Sequence, residues 1–325
     1  MRWLAVLLLA SAPAHADGLL YAAGDIASSG SGKELTAQIL DAHPAGIVLT
    51  LGDNAYSDGT AAEFAARYEP TWGRHKARTY PSPGNHDWRT ACASAYRDYF
   101  AAAGRPTGAP CDLWYSYDFD GWHFVALNSN VDTDYGSAQA AWLEADLSAS
   151  DADCTLAYWH HPRFSSGDSH GSSTATQDVW KILHSHGADL VLAGHDHNYE
   201  RFAPLDAFGN ADATAPRSFV VGTGGSSLRP MGVIEPGSEA SAGNLYGVLE
   251  LTLRATGYDW RFLPAAGYAY ADAGSASCVG LHAPPWMGDA GCGIGPELAL
   301  LLPLLYSIRV RRHPRSVKPD ARPRA

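Results

Sequence analysis

Ile47-Val48-Leu49-Thr50-Leu51 is a short apolar run, rich in β-branched side chains, that stops at Gly52-Asp53-Asn54-Ala55-Tyr56. Such a run reads as a buried strand. A carboxylate just past a strand stands at the rim of a sheet, where open α/β folds place their ligands. Asp53 has two oxygens and can bridge two cations; Tyr56, three residues on, can offer a phenolate to one of them. One such stop constrains little, but it recurs. Leu19-Leu20-Tyr21-Ala22-Ala23 ends at Gly24-Asp25, Thr155 to Trp159 at His160-His161-Pro162, and Leu190 to Ala193 at Gly194-His195-Asp196-His197. Phe219-Val220-Val221 ends at Gly222-Thr223-Gly224-Gly225, and Pro81-Ser82-Pro83 leads into the turn-rich Gly84-Asn85-His86-Asp87.

Helical patterns alternate with these runs: about Lys33 to Ala42, Ala61 to Tyr68, Ala138 to Leu147 with Trp142 and Leu143 facing in, and Gln177 to His184. Trp114 to Phe119 and His123 to Asn128 form a hairpin across Asp120-Gly121, and Tyr246 to Leu253 pairs with Tyr258 to Leu263 around Thr256-Gly257. The expected architecture is α/β (α+β): a pair of mixed sheets with helices outside, in one domain over 17–279.

The ends read differently. Arg2, the apolar Leu4 to Ala10 and the small residues Ala14-His15-Ala16 make residues 1–16 an export signal. Gly274 to Gly295 is rich in small residues, and a linker is expected at 280–296. In 297–325 an apolar run, Leu298 to Leu305, precedes Arg309, Arg311, Arg312 and Arg315, and is too short to span a bilayer. With Cys292, this end resembles bacterial C-terminal sorting tails, notably the myxobacterial type. That implies sorting machinery or membrane attachment as a partner and a secreted, cell-surface or outer-membrane location.

Export makes the cysteines matter. Cys92, Cys111, Cys154 and Cys278 lie in the body and allow three pairings. Cys92–Cys111, closing a local loop, and Cys154–Cys278, pinning the last strand region to a core strand, are the favoured pair. The formal charge of −11 leaves no footprint for binding a nucleic-acid backbone. It also repels phosphorylated substrates unless bound cations invert the local field.

The polar residues that end strands are Asp25, Asp53, Asn85, His160, His195 and His197, with Tyr56 beside them. Oxygen and imidazole donors suit zinc, iron or manganese. Seven exceed one closed site and match two cations sharing a carboxylate, an arrangement that clamps both oxygens of a phosphoryl transfer. Taken in order, Asp25, Asp53 with Tyr56, Asn85-His86-Asp87, His160 and Gly194-His195-Asp196-His197 resemble the five blocks of calcineurin-like metallophosphoesterases. The closest branch is the purple acid phosphatases of the small single-domain type. The resemblance runs from about Leu19 to Cys278.

That resemblance implies a four-layer αββα sandwich and hydrolysis of phosphomonoesters by a metal-bound hydroxide. Asp25, Asp53, Tyr56 and His197 would hold iron(III). Asp53, Asn85, His160 and His195 would hold a divalent zinc, iron or manganese. Ala27 stands where many relatives place a histidine ligand, and Tyr56 where the purple branch places its phenolate. His86 would stabilise the phosphoryl oxygens, His170 would serve as general acid, and His161 would stand behind the ligands. A phosphodiesterase or nucleotide-pyrophosphate hydrolase with the same metals, and a non-enzymatic surface module, are the alternatives.

Overall fold

The computed structural model describes residues 18–279. The expected export signal, linker and sorting-like tail, with Cys292, lie outside the described residues.

In chain order the elements are β1 (Gly18–Ala23), α1 (Gly32–Ala42), β2 (Ile47–Leu51), α2 (Ala61–Glu63), β3 (Thr79–Ser82), α3 (Ser94–Ala102), β4 (Tyr115–Phe119) and β5 (Trp122–Ala126). Then come α4 (Ala138–Ala149), β6 (Cys154–Tyr158), α5 (Gln177–Ser185), β7 (Leu190–Ala193), β8 (Tyr199–Phe202), β9 (Arg217–Val221), β10 (Ser238–Ala242), β11 (Gly247–Arg254), β12 (Gly257–Pro264) and β13 (Ala273–Ser277). One sheet has the order β13-β12-β11-β1-β2-β3, the other β10-β8-β9-β7-β6-β5-β4. In the first, β1, β2 and β3 are parallel; in the second, β5, β6, β7 and β9 are parallel. Helices flank both mixed sheets, which gives the expected four-layer sandwich.

Alternation along the central strands builds two cores. Phe124, Ala126, Leu156, Tyr158, Leu190, Leu192, Phe219 and Val221 face the first sheet and join Leu20, Ala22, Leu49 and Leu51 in the core between sheets. The residues in between, Val125, Ala157, Val191 and Val220, point the other way, onto Leu143, Leu147, Val179, Trp180 and Leu183 of α4 and α5. A strand buried on both faces therefore reads as an unbroken apolar run, although its side chains still divide by a period of two.

Some expectations change. The stretch Ala61 to Tyr68 is not one regular helix. A single α turn, closed by a capping box between Thr60 and Glu63, opens into a π turn over Phe64–Tyr68, where Glu69 N donates to Phe64 O at 2.8 Å. The wider turn lets buried Phe64 and Tyr68 both reach Tyr99 and Phe100 of α3, a helix that the sequence reading missed. Trp142 is only half-buried, against Trp114. The residues of β13 overlap the start of the small-residue-rich stretch from Gly274, yet they pair with β12 as an edge strand. Cys154–Cys278 and Cys92–Cys111 are both bonded as favoured.

Because the central strands of each sheet run parallel, their C-terminal ends share one edge of the sandwich. The two sheets are stitched together there: Gly24 N, after β1, donates to Val221 O of β9 at 2.8 Å, and Ser226 N donates to Asp25 O at 2.7 Å. Every polar strand-ending residue therefore emerges on the same rim.

Candidate metal centre

Asp25, Asp53 and His195 each follow a glycine at a strand end, and all three have left-handed backbones, with φ of 60°, 52° and 73°. This conformation costs a non-glycine residue about 1–3 kcal/mol, and such strain gathers at functional sites. It turns the chain sharply out of the sheet and aims each side chain across the rim. Gly52, at φ 81°, allows the approach: a Cβ there would stand 2.5 Å from His160 Nδ1.

Both carboxylates are buried, and each is tied by one oxygen. Asp25 Oδ2 accepts from His195 N at 2.7 Å, and Asp53 Oδ1 accepts from His86 N at 2.8 Å. The free oxygens meet the Tyr56 hydroxyl, 2.8 Å from Asp25 Oδ1 and 2.9 Å from Asp53 Oδ2. His197 Nε2 completes this group, 3.4 Å from the hydroxyl and 3.3 Å from Asp25 Oδ1. A second group shares the same Asp53 Oδ2. His160 Nε2 lies 3.3 Å from it, 3.0 Å from Asn85 Oδ1 and 3.1 Å from His195 Nδ1. The structure thus brings all seven expected donors together.

The imidazoles are oriented from behind. His160 Nδ1 donates to Leu51 O at 2.8 Å and His197 Nδ1 to Ser227 O at 2.6 Å, so each turns Nε2 inward. His195 is reversed and presents Nδ1. His161 bonds Ser129 Oγ through Nδ1 at 2.8 Å and packs its ring 4.4 Å from that of His195. Asp87 accepts from Asn54 N, Asn54 Nδ2 and Gly84 N, which fixes the loop that carries Asn85 and His86.

The charges of this group depend on one another. Burial alone would raise the Asp53 and Asp25 carboxyls, but His160 and His197 respectively outweigh it and hold both below the usual range. Burial likewise opposes a charge on His160, and Asp53 overrides it, raising its pKa to about 9. Burial, then the neighbouring Asp25 and Asp53, keep the Tyr56 phenol far above its ordinary value. Burial and Asp53 push Asp87 up to about 6.

This donor set fits two metal ions. Ligands bound at about 2.0–2.2 Å around one cation stand roughly 3 Å apart, as these atoms do. Two buried carboxylates need positive charge beside them; the raised His160 and His197 favour it as protons, and a cation at the same place would displace those protons. One subset offers carboxylate, phenol and imidazole; the other offers carboxylate, amide oxygen and two imidazoles.

The cavity above this rim is about 520 Å³ and is also bordered by Ser28, Gly30, Arg67, His86, Arg229 and Tyr246. His86 lines it, with Nε2 3.9 Å from Asp53 Oδ2 and Nδ1 2.5 Å from Ser57 O. His170 lines it too, its ring 4.0 Å from that of His195 and its Nε2 3.3 Å from an Arg229 nitrogen. The His170 loop hangs on Asp196, whose Oδ2 accepts from Ser165 Oγ at 2.6 Å and Gly171 N at 2.9 Å. Sequence reasoning missed Asp196, Ser227 and Arg229. Asp196 lies inside the Gly194 to His197 motif, but nothing in the motif says that it faces away from the donors.

Purple acid phosphatase 23 of Arabidopsis thaliana is 32% identical over 183 residues, 51% of this chain and 40% of its own length. The chain spans about half or less of the length of such curated relatives. In fold it is similar to the purple acid phosphatase PPD1 of yellow lupin, with a TM-score of 0.66 at 19% identity over 81% of this chain and 54% of that one. It is also similar to GAP50, the anchor in the inner membrane complex of Plasmodium, with a TM-score of 0.62 at 17% identity over 81% and 89% of the two chains. Residues 19–199, more than half of the sequence, match the calcineurin-like phosphoesterase family, and this protein belongs to it.

Proposed function

We propose that the protein is an exported binuclear-metal phosphatase that hydrolyses phosphomonoesters. The observation that carries this reading is the shared Asp53 Oδ2, which belongs both to the Tyr56–Asp25–His197 group and to the His160–Asn85–His195 group. Asp25, Asp53, Tyr56 and His197 would hold iron(III), suited to an anionic phenolate, and Asp53, Asn85, His160 and His195 a divalent zinc, iron or manganese. Bound there, the pair would supply an activated water and positive charge for the phosphoryl oxygens.

The chain's own residues do the rest. His86, held through Nδ1 by Ser57 O, presents Nε2 to the cavity, where its protonated form donates to a phosphoryl oxygen. His170 lines the same cavity beside His195 and is the proton donor to the leaving group, its loop held by Asp196. Two disulfides support an oxidising destination after export.

The test is metal analysis of the secreted protein combined with turnover of two esters. Two metals per chain, with hydrolysis of p-nitrophenyl phosphate but not bis-p-nitrophenyl phosphate, is the expected result. Cleavage of the diester favours the phosphodiesterase reading, which the size of the cavity also accommodates. No turnover of either ester with both metals bound leaves a non-catalytic surface module.

A further inference from the structure

Arg229 stands apart from the other arginines of the described residues. Arg67, Arg74, Arg89, Arg97, Arg201, Arg217, Arg254 and Arg261 each pair with a carboxylate. Arg78, Arg105 and Arg163 donate to backbone carbonyls. Among the described residues Arg229 has neither kind of partner. The hydrogen bond its guanidinium makes among the described residues is to His170 Nε2 at 3.3 Å, in a chain whose formal charge is −11. An arginine left without an acid where acids are abundant, on the wall of a cavity, is placed to meet an anion.

Its position is built rather than accidental. Its carbonyl accepts from Asn244 N at 2.8 Å, and Ser227, two residues earlier, holds His197 through its own carbonyl. The side chain is therefore registered to the donor cluster through one short segment. Among the described residues the only carboxylate lining the cavity is Asp53, which faces Tyr56 and His160. At about 520 Å³ the cavity falls within the roughly 300–1,000 Å³ of small-molecule sites, so it has room for a leaving group as well as the reacting phosphate.

We infer that Arg229 is a specificity-determining residue that binds a second anionic group on the leaving-group side of the substrate. The substrate class is a terminal phosphate whose leaving group itself carries a phosphate, a phosphoanhydride such as a diphosphate in the simplest case. The guanidinium takes the second phosphate in a bidentate grip, exchanging His170 for a charged acceptor. This inference rests on the phosphatase reading.

The test uses the full secreted chain loaded with metal, as wild type, Arg229→Gln and Arg229→Lys. Calorimetry gives the affinity ratio of methylenediphosphonate to methylphosphonate, and kinetics give kcat/KM for ADP and p-nitrophenyl phosphate. In Arg229→Gln both ratios fall at least tenfold, chiefly through KM, and Arg229→Lys restores part of the loss. Chelation of the metals by the diphosphonate is common to all three proteins and cancels. Unchanged ratios, or a kcat loss shared equally by both substrates, overturn the inference and leave Arg229 as a prop for His170. If wild type hydrolyses neither substrate but the affinity ratio collapses in Arg229→Gln, the anion site stands and the phosphatase reading falls. If p-nitrophenyl phosphate is hydrolysed and the ratios do not move, the reverse holds.

Discussion

Asp53→Asn changes almost no volume and removes one charge from the centre of the site. An asparagine oxygen can still accept from His86 N, but the group facing Tyr56 and His160 loses its negative oxygen. In the metal-free protein His160 is raised from 6.5 to about 9, a difference worth about 3 kcal/mol. A group raised in the folded state contributes stability that is fully present below its unfolded pKa. That stability is lost as pH rises through the folded value. Urea unfolding of chelator-treated protein should therefore show wild type more stable than Asp53→Asn by a margin that is full near pH 6 and shrinks by about 3 kcal/mol by about pH 10. Groups that do not face Asp53 cancel in the difference, and Asp87, which Asp53 helps push up to about 6, narrows the margin in the same direction as it ionises. A margin that does not change between these two pH values refutes the pairing of His160 with Asp53. In the metal-loaded protein the same variant should lose both cations together by elemental analysis, and retention of one at full stoichiometry refutes the bridge.

Tyr56→Phe should abolish the visible phenolate-to-iron band expected of the iron-loaded protein, and an unaltered spectrum removes Tyr56 from the first cation. Gly52→Ala should cost about 1–2 kcal/mol for its left-handed backbone alone. It should also displace the His160 ring, so a variant of full stability and full metal content contradicts the packing described. Breaking Cys154–Cys278, with 124 residues of separation, should cost about 5 kcal/mol, and breaking Cys92–Cys111, with 19, about 3 kcal/mol. Denaturant titration of the two Cys→Ser pairs checks the order, and a larger loss from the local loop would reverse it.

Much of the molecule was legible because strand, turn and ligand signals are local. Ile47 to Leu51, Thr155 to Trp159 and Leu190 to Ala193 announce buried strands by composition, and the glycine and donor after each announce the rim. The seven side chains that converge around Asp53 and the two cavity histidines could be named before any contact was known. Edge elements such as β13 were harder, because their small residues carry no periodic signal and their pairing partner supplies the structure. The π turn at Phe64–Tyr68 depends on where Tyr99 and Phe100 lie, which no local window contains.

Which residue types gather was therefore set along the chain; how they face was set by the fold. His160, His195 and His197 are the same residue in the sequence, yet Leu51 O and Ser227 O turn two of them to offer Nε2 while His195 offers Nδ1. Asp196 lies between two donors and points away to hold the His170 loop. Arg229 reads as one arginine among many until the positions of the acids among the described residues are known. The chemistry of a side chain is carried by the residue itself, but the orientation of a ring, and the absence of a partner for a charge, are properties of everything that surrounds it.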